Sequence, residues 1–80
     1  MHEYGIAKDI LDAVFKELQE KQFERVKKIK LKVGDFNMLT RESLQGAFDL
    51  AAENTKAKGA VLEIEETPGM EIEIKRIEAE

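Results

Sequence analysis

Near the start of the chain apolar residues recur at spacings of three and four. Ala7, Ile10, Leu11, Val14 and Leu18 form one stripe, which Phe15 widens, while Lys8, Asp12, Lys16, Gln19 and Glu20 lie largely outside it. One apolar face at this period predicts an amphipathic helix. Gly5 places the helix start at or just after itself, leaving the first few residues as a short arm. From Lys28 to Val33 the period drops to two: Lys28, Ile29, Lys30, Leu31, Lys32, Val33. That alternation predicts a strand with Ile29, Leu31 and Val33 on a core and the lysines in water. Gly34 ends it.

The segment DFNMLTRESLQGAFDLAAENT returns to helical spacing, with Leu44, Ala47, Phe48, Ala51 and Thr55 on the inner face. Thr40 suits the N-cap and Glu42 sets an anion near the positive helix end. Gly46 costs about 1 kcal/mol against alanine inside a helix, and close approach to the sheet is its expected reason. Lys56 and Lys58 suit the negative end of this helix as KAKG closes it. Beyond lie two more alternating runs: Leu62 and Ile64 among Glu63 and Glu65, then Met70, Ile72 and Ile74 among Glu71, Glu73 and Lys75. Thr67-Pro68-Gly69-Met70 between them carries proline and glycine where a type II turn wants them, which predicts a hairpin. The alternation slips at Arg76-Ile77, predicting a bulge or the end of pairing.

The element order is helix, strand, helix, hairpin. Three amphipathic strands need one cover layer and two amphipathic helices supply it. The expected fold is a two-layer α/β (α+β) domain with both helices on one face of a three-stranded sheet. Lys28, Lys30 and Lys32 would meet Glu63, Glu65, Glu71 and Glu73 on the open face and pair across strands.

The length of 80 residues makes residues 1–80 a single domain. With 42% hydrophobic and 38% charged residues, the composition is that of a folded domain rather than a disordered chain. The chain has no cysteine, which excludes a disulfide framework and a thiolate metal site. It has neither a long apolar run nor a basic-then-apolar leader, so a cytoplasmic protein without a membrane partner is expected. A net charge of −4 argues against nucleic acid as a partner. The basic row Arg25, Lys27, Lys28, Lys30 and Lys32 has no interleaved aromatics and reads as a solvated strand face. The alternating glutamates read as surface, and no nucleophile–base pair or phosphate loop appears, so no enzyme is expected.

The remaining candidate is the opening Met1-His2-Glu3, which holds the only histidine. Histidine is too large a second residue for Met1 to be removed. The terminal amine and the His2 amide nitrogen then close a five-membered chelate ring, and the amide and the imidazole Nδ1 a six-membered one. Nitrogen-rich planar sets suit Ni(II) or Cu(II) rather than zinc, calcium or magnesium. The fourth position is left for the Glu3 backbone, another side chain, water or a partner's ligand. Taken alone, a terminal histidine is more often an uninvolved residue than a ligand.

The chain resembles the HypA/HybF nickel metallochaperones of hydrogenase and urease maturation. The resemblance runs through MHE, RVKKIKLKVG, ESLQGAFDLAAENT, KGAVLEIEETP and GMEIEIKRIEAE, in that order and over nearly the whole chain. It implies His2 as the side-chain ligand of nickel, with the Met1 amine and the backbone around His2 and Glu3 supplying further nitrogens. It implies a nickel-binding GTPase accessory protein and the hydrogenase large subunit as partners. Family members carry a zinc domain with two CxxC pairs between the last two of these segments. Here Thr67-Pro68-Gly69 stands in its place, so no zinc is expected and a tight turn near 67–70 replaces that domain. The leading expectation is a nickel chaperone domain that binds Ni(II) at Met1-His2-Glu3 and hands it on. The alternative is a metal-independent interaction or scaffold module of the same fold. An exposed sheet edge also leaves a homodimer open.

Overall fold

The computed structural model describes residues 3–35 and 40–80. Its elements are α1 (Glu3–Leu18), β1 (Val26–Gly34), α2 (Arg41–Ala51), β2 (Val61–Thr67) and β3 (Ile72–Ala79). The order expected from the sequence holds, with two helices on a three-stranded sheet. The α1 stripe is where the spacing puts it: Ile6, Ala7, Ile10, Leu11, Val14 and Leu18 are buried. Helix α1 begins two residues earlier than Gly5, so Glu3 and Tyr4 are helical and not part of an arm.

Helix α2 starts at the predicted cap. The Thr40 hydroxyl accepts from the Ser43 amide at 3.0 Å, and the Thr40 amide donates back to Ser43 Oγ at 3.3 Å. This reciprocal pair satisfies amides that a helix start leaves without intrahelical partners. The helix ends at Ala51, short of Lys56 and Lys58. Lys56 instead lies 4.8 Å from the centre of the Phe23 ring and donates to the Phe23 carbonyl at 3.1 Å. Gly46 is exposed, with open space where a Cβ would stand, so close packing on the sheet is not its reason.

The sheet order is β2-β1-β3. β1 is central, parallel to β2 and antiparallel to β3. The expected hairpin is therefore not formed: β2 and β3 never pair, and the 67–70 connection carries the chain across the end of β1. Gly69 does take a positive φ of 114°, as the turn signal requires. The local reading was sound, and the pairing inferred from it was not. A strand–helix–strand unit explains the arrangement, because a helical crossover lets β1 and β2 run parallel.

The core sits between the helices and the central strand. Val14, Ile29, Leu31, Leu44 and Phe48 are completely buried. Ile29, Leu31 and Val33 stand opposite Ile77, Ile74 and Ile72 of β3. The spacing of three between Ile74 and Ile77 is absorbed by a register shift: Arg76 pairs with Lys30 and Ile74 with Leu31, skipping Lys75. The predicted slip is this bulge, and it keeps all three isoleucines on the helix side. On the open face Glu63 lies 3.4 Å from Lys28 and 3.9 Å from Lys30, the expected cross-strand pairing.

Candidate metal site at the start of helix α1

Of the predicted ligands, Glu3 is the first residue of α1 and is exposed. Met1 and His2 lie outside the described residues. The placement of Glu3 bears on the chemistry. The first amides of a helix have no intrahelical acceptor. The Glu3 N–H can thus be given up to a metal without breaking a helical hydrogen bond. The Glu3 carboxylate sits in the first turn, where negative charge is favoured and where it would offset a cation's repulsion from the positive helix end. Terminal amine, amide nitrogens and imidazole form a nitrogen-only set, which fits Ni(II) as cargo.

Among the described residues no three histidine, cysteine, aspartate or glutamate side chains come close enough to hold a metal ion. Nor do they include a buried polar or charged residue, the usual mark of a built catalytic centre. On β1, Lys28 and Lys30 are half-buried and engaged with Glu63, in keeping with a strand surface.

Sequence reasoning missed the residues that finish the β2 edge. Gln45 Nε2 donates to the Ala60 carbonyl at 3.1 Å, and the Leu62 amide donates to Gln45 Oε1 at 2.8 Å. One turn earlier, Arg41 Nη2 donates to the Ile64 carbonyl at 3.2 Å. The signal was the i, i+4 spacing of two long polar side chains on α2.

The model of the family "Hydrogenase/urease nickel incorporation, metallochaperone, hypA" matches residues 1–78. The chain belongs to the HypA family. That family is one of metallochaperones, not of enzymes. Among curated relatives, the hydrogenase maturation factor HypA of Methanopyrus kandleri is 35% identical over 65 residues, covering 81% of this chain and 46% of the relative. HypA 2 of Bradyrhizobium diazoefficiens is 38% identical over 69 residues, covering 86% of this chain and 61% of the relative. The chain thus spans about half to three-fifths of the length of these HypA proteins. The solution structure of the Ni metallochaperone HypA from Helicobacter pylori superposes with a TM-score of 0.79 at 15% identity, covering 99% of this chain and 97% of that one. At that identity the agreement concerns the fold, and the two-layer fold is shared. No helix among the described residues is long and apolar enough to cross a membrane.

Proposed function

We propose that this HypA-family chain binds Ni(II) through the Met1 amine, the His2 imidazole and the backbone amides at His2 and Glu3, and releases it to a partner during hydrogenase maturation. The observation that carries the reading is the junction itself: Met1-His2-Glu3 runs directly into a helix whose first residue is Glu3, where amide protons are spare. The family's description as nickel incorporation supports the metal. A tripod that leaves one planar position exchangeable suits hand-over better than storage. The receiving partners in this reading are a nickel-binding GTPase and the hydrogenase large subunit, and the work is done in the cytoplasm. Residues 1–80 act as one nickel-binding domain, and with no cysteine the domain needs no zinc.

The deciding experiment is a Ni(II) titration of protein with a native, untagged N-terminus, beside His2→Ala and an N-acetylated form. Absorbance and heat are followed together. The expected result is one nickel with a planar, nitrogen-type spectrum, lost in both variants. Equal behaviour of all three would remove the metal reading and leave a scaffold module.

A further inference from the structure

The chain carries a net charge of −4, yet one groove on it is cationic. It holds about 660 Å³ between the end of α1 and β3, where Lys16, Lys21, Lys75 and Arg76 outnumber Glu17. Most cations of the chain are engaged with carboxylates or main-chain carbonyls, as Lys28 is with Glu63 and Lys56 with the Phe23 carbonyl. Among the described residues, which include every lysine and arginine, only Lys16, Lys21, Lys32 and Lys75 leave their side-chain charge without such a partner. All but Lys32 line this one groove. Past Ala13 and Ile74 the groove turns apolar, with Ile6, Ile10, Met70 and Ile72 around a further 280 Å³ or so and Asp9 as the charged residue there. β3 beside it is an outer strand of the sheet. The Gly34 amide donates to the Glu71 carbonyl at 2.7 Å, so by alternation Ile72 and Ile74 turn their main chain away from β1, toward the groove's open side.

We propose that this groove docks an extended segment of a partner protein that is acidic at one end and apolar at the other. The occupant is set by charge. Lys16, Lys21 and Lys75 have no carboxylate of their own chain and call for one from outside. At the other end Asp9 repels an anion, while the half-buried Ile72 and Ile74 gain from apolar cover. The free side of β3 supplies main-chain hydrogen bonds, which favour a strand over a helix as the docked form. Side chains of such a strand alternate, and only one set faces the helix layer and the groove. The other set lies on the open face beside Glu73 and Glu78, opposite Lys32 and Lys28 of β1, where added carboxylates would be repelled. The segment thus carries its acids and then its apolar residues at every second position, with neutral residues between. Its apolar end reaches Ile6, one helical turn from Glu3, and its acidic end lies at Lys16, about 20 Å along α1 from Glu3. Docking of this kind needs no metal.

The test is fluorescence anisotropy of end-capped peptides with a neutral dye, titrated with the intact, nickel-free chain. The first peptide, Glu-Thr-Glu-Thr-Val-Thr-Val-Thr, matches the 8 residues of β3. The second, Glu-Thr-Val-Thr-Val-Thr-Glu-Thr, has the same composition, but in either direction one glutamate falls at the Asp9 end. The first should bind saturably, more weakly as salt rises, and more tightly than the second. Lys16→Glu with Lys21→Glu should weaken it about tenfold, the effect of reversing two exposed ion pairs. Both lysines are exposed, so the circular dichroism of this variant should match the wild type. Absence of saturable binding, equal binding of the two peptides, or an unmoved affinity in the variant would each overturn the proposal. So would inorganic tripolyphosphate that displaces the first peptide as well as unlabelled peptide does, since the groove would then take any polyanion. A complex sedimenting at twice the 9.1 kDa chain mass and excluding the peptide would give the groove to a second copy and overturn it too. Without nickel the measurement is blind to whether Met1-His2-Glu3 holds the metal, so the two readings fail separately.

Discussion

Gly34 and Gly69 touch backbone to backbone where the chain crosses from β2 to β3. A Cβ built on Gly34 would meet the carbonyl carbon of Gly69 at 2.6 Å and the amide nitrogen of Met70 at 2.7 Å. Both neighbours are main chain and cannot swing aside. Gly34 is therefore glycine because another segment of backbone lies where a side chain would stand. Gly34→Ala must push the 67–70 crossing off the end of β1 and strain the Gly34–Glu71 hydrogen bond. A loss of about 1–3 kcal/mol is expected, in line with overpacked cores. For a domain this size each kcal/mol lowers Tm by roughly 4–8 °C. Urea and thermal unfolding would measure it, and an unchanged midpoint would contradict the crossing geometry.

Gly46 is the opposite case. It lies inside α2, is exposed, and has nothing near the position of a Cβ. Alanine there removes backbone freedom from the unfolded chain and meets no clash. Gly46→Ala should raise stability by about 0.5–1 kcal/mol, the usual helix-interior difference. The two substitutions are chemically identical and opposite in expected sign, so one set of unfolding curves tests both.

The contrast shows what the sequence could and could not carry. Periodicity located α1, β1 and α2, because burying one face constrains every third or fourth residue, or every second. Ile29, Leu31, Val33, Leu44 and Phe48 were legible as core on that basis alone, and Thr40 as a cap. Strand neighbours were not legible. Thr67-Pro68-Gly69-Met70 signals a reversal, and a reversal does not say which strand the chain joins next. The strand–helix–strand order that makes β1 and β2 parallel was present in the sequence, but a strong local turn signal outweighed it. Gly34 read as a strand terminator, since nothing local reveals a crossing segment 35 residues further on. The candidate site stood out for a different reason: the proposed ligands of Met1-His2-Glu3 are adjacent in the chain, so the proposal needed no fold to bring them together.

Gln45 makes a prediction about the β2 edge. Its amide both donates to Ala60 and accepts from Leu62, doing what a neighbouring strand would do, while its Nε2 also donates to Asp49 at 2.8 Å. Gln45→Ala should cost about 1–2 kcal/mol, because two main-chain groups lose their partner. Gln45→Glu should cost at least as much, since a carboxylate cannot donate to the Ala60 carbonyl and is repelled by Asp49. Amide hydrogen exchange at Leu62 should quicken in both. Slow, unchanged exchange there would mean that Gln45 does not close the edge.

The proposed nickel site makes a prediction about coupling between metal and fold. The core is made of side chains such as Val14, Leu31 and Phe48, none of which could ligate a metal. Metal-free protein should keep its full helical circular dichroism after chelator treatment. The proposed ligands are also contiguous in the chain, so the unfolded protein holds them almost as well as the folded one. A ligand stabilises a fold only by binding it better than the unfolded chain. Nickel should therefore move Tm very little, even at saturation. A peptide of the first seven residues should bind nickel about as tightly as the whole domain. Binding by either should weaken as pH falls, because amine, amide and imidazole must each be free of the proton that the metal replaces. A large nickel-induced rise in Tm, or a peptide that binds much more weakly than the protein, would point to a ligand brought in by the fold. The exposed end of α1 would then have to be searched for it, beginning with the neighbours of Glu3 and Tyr4.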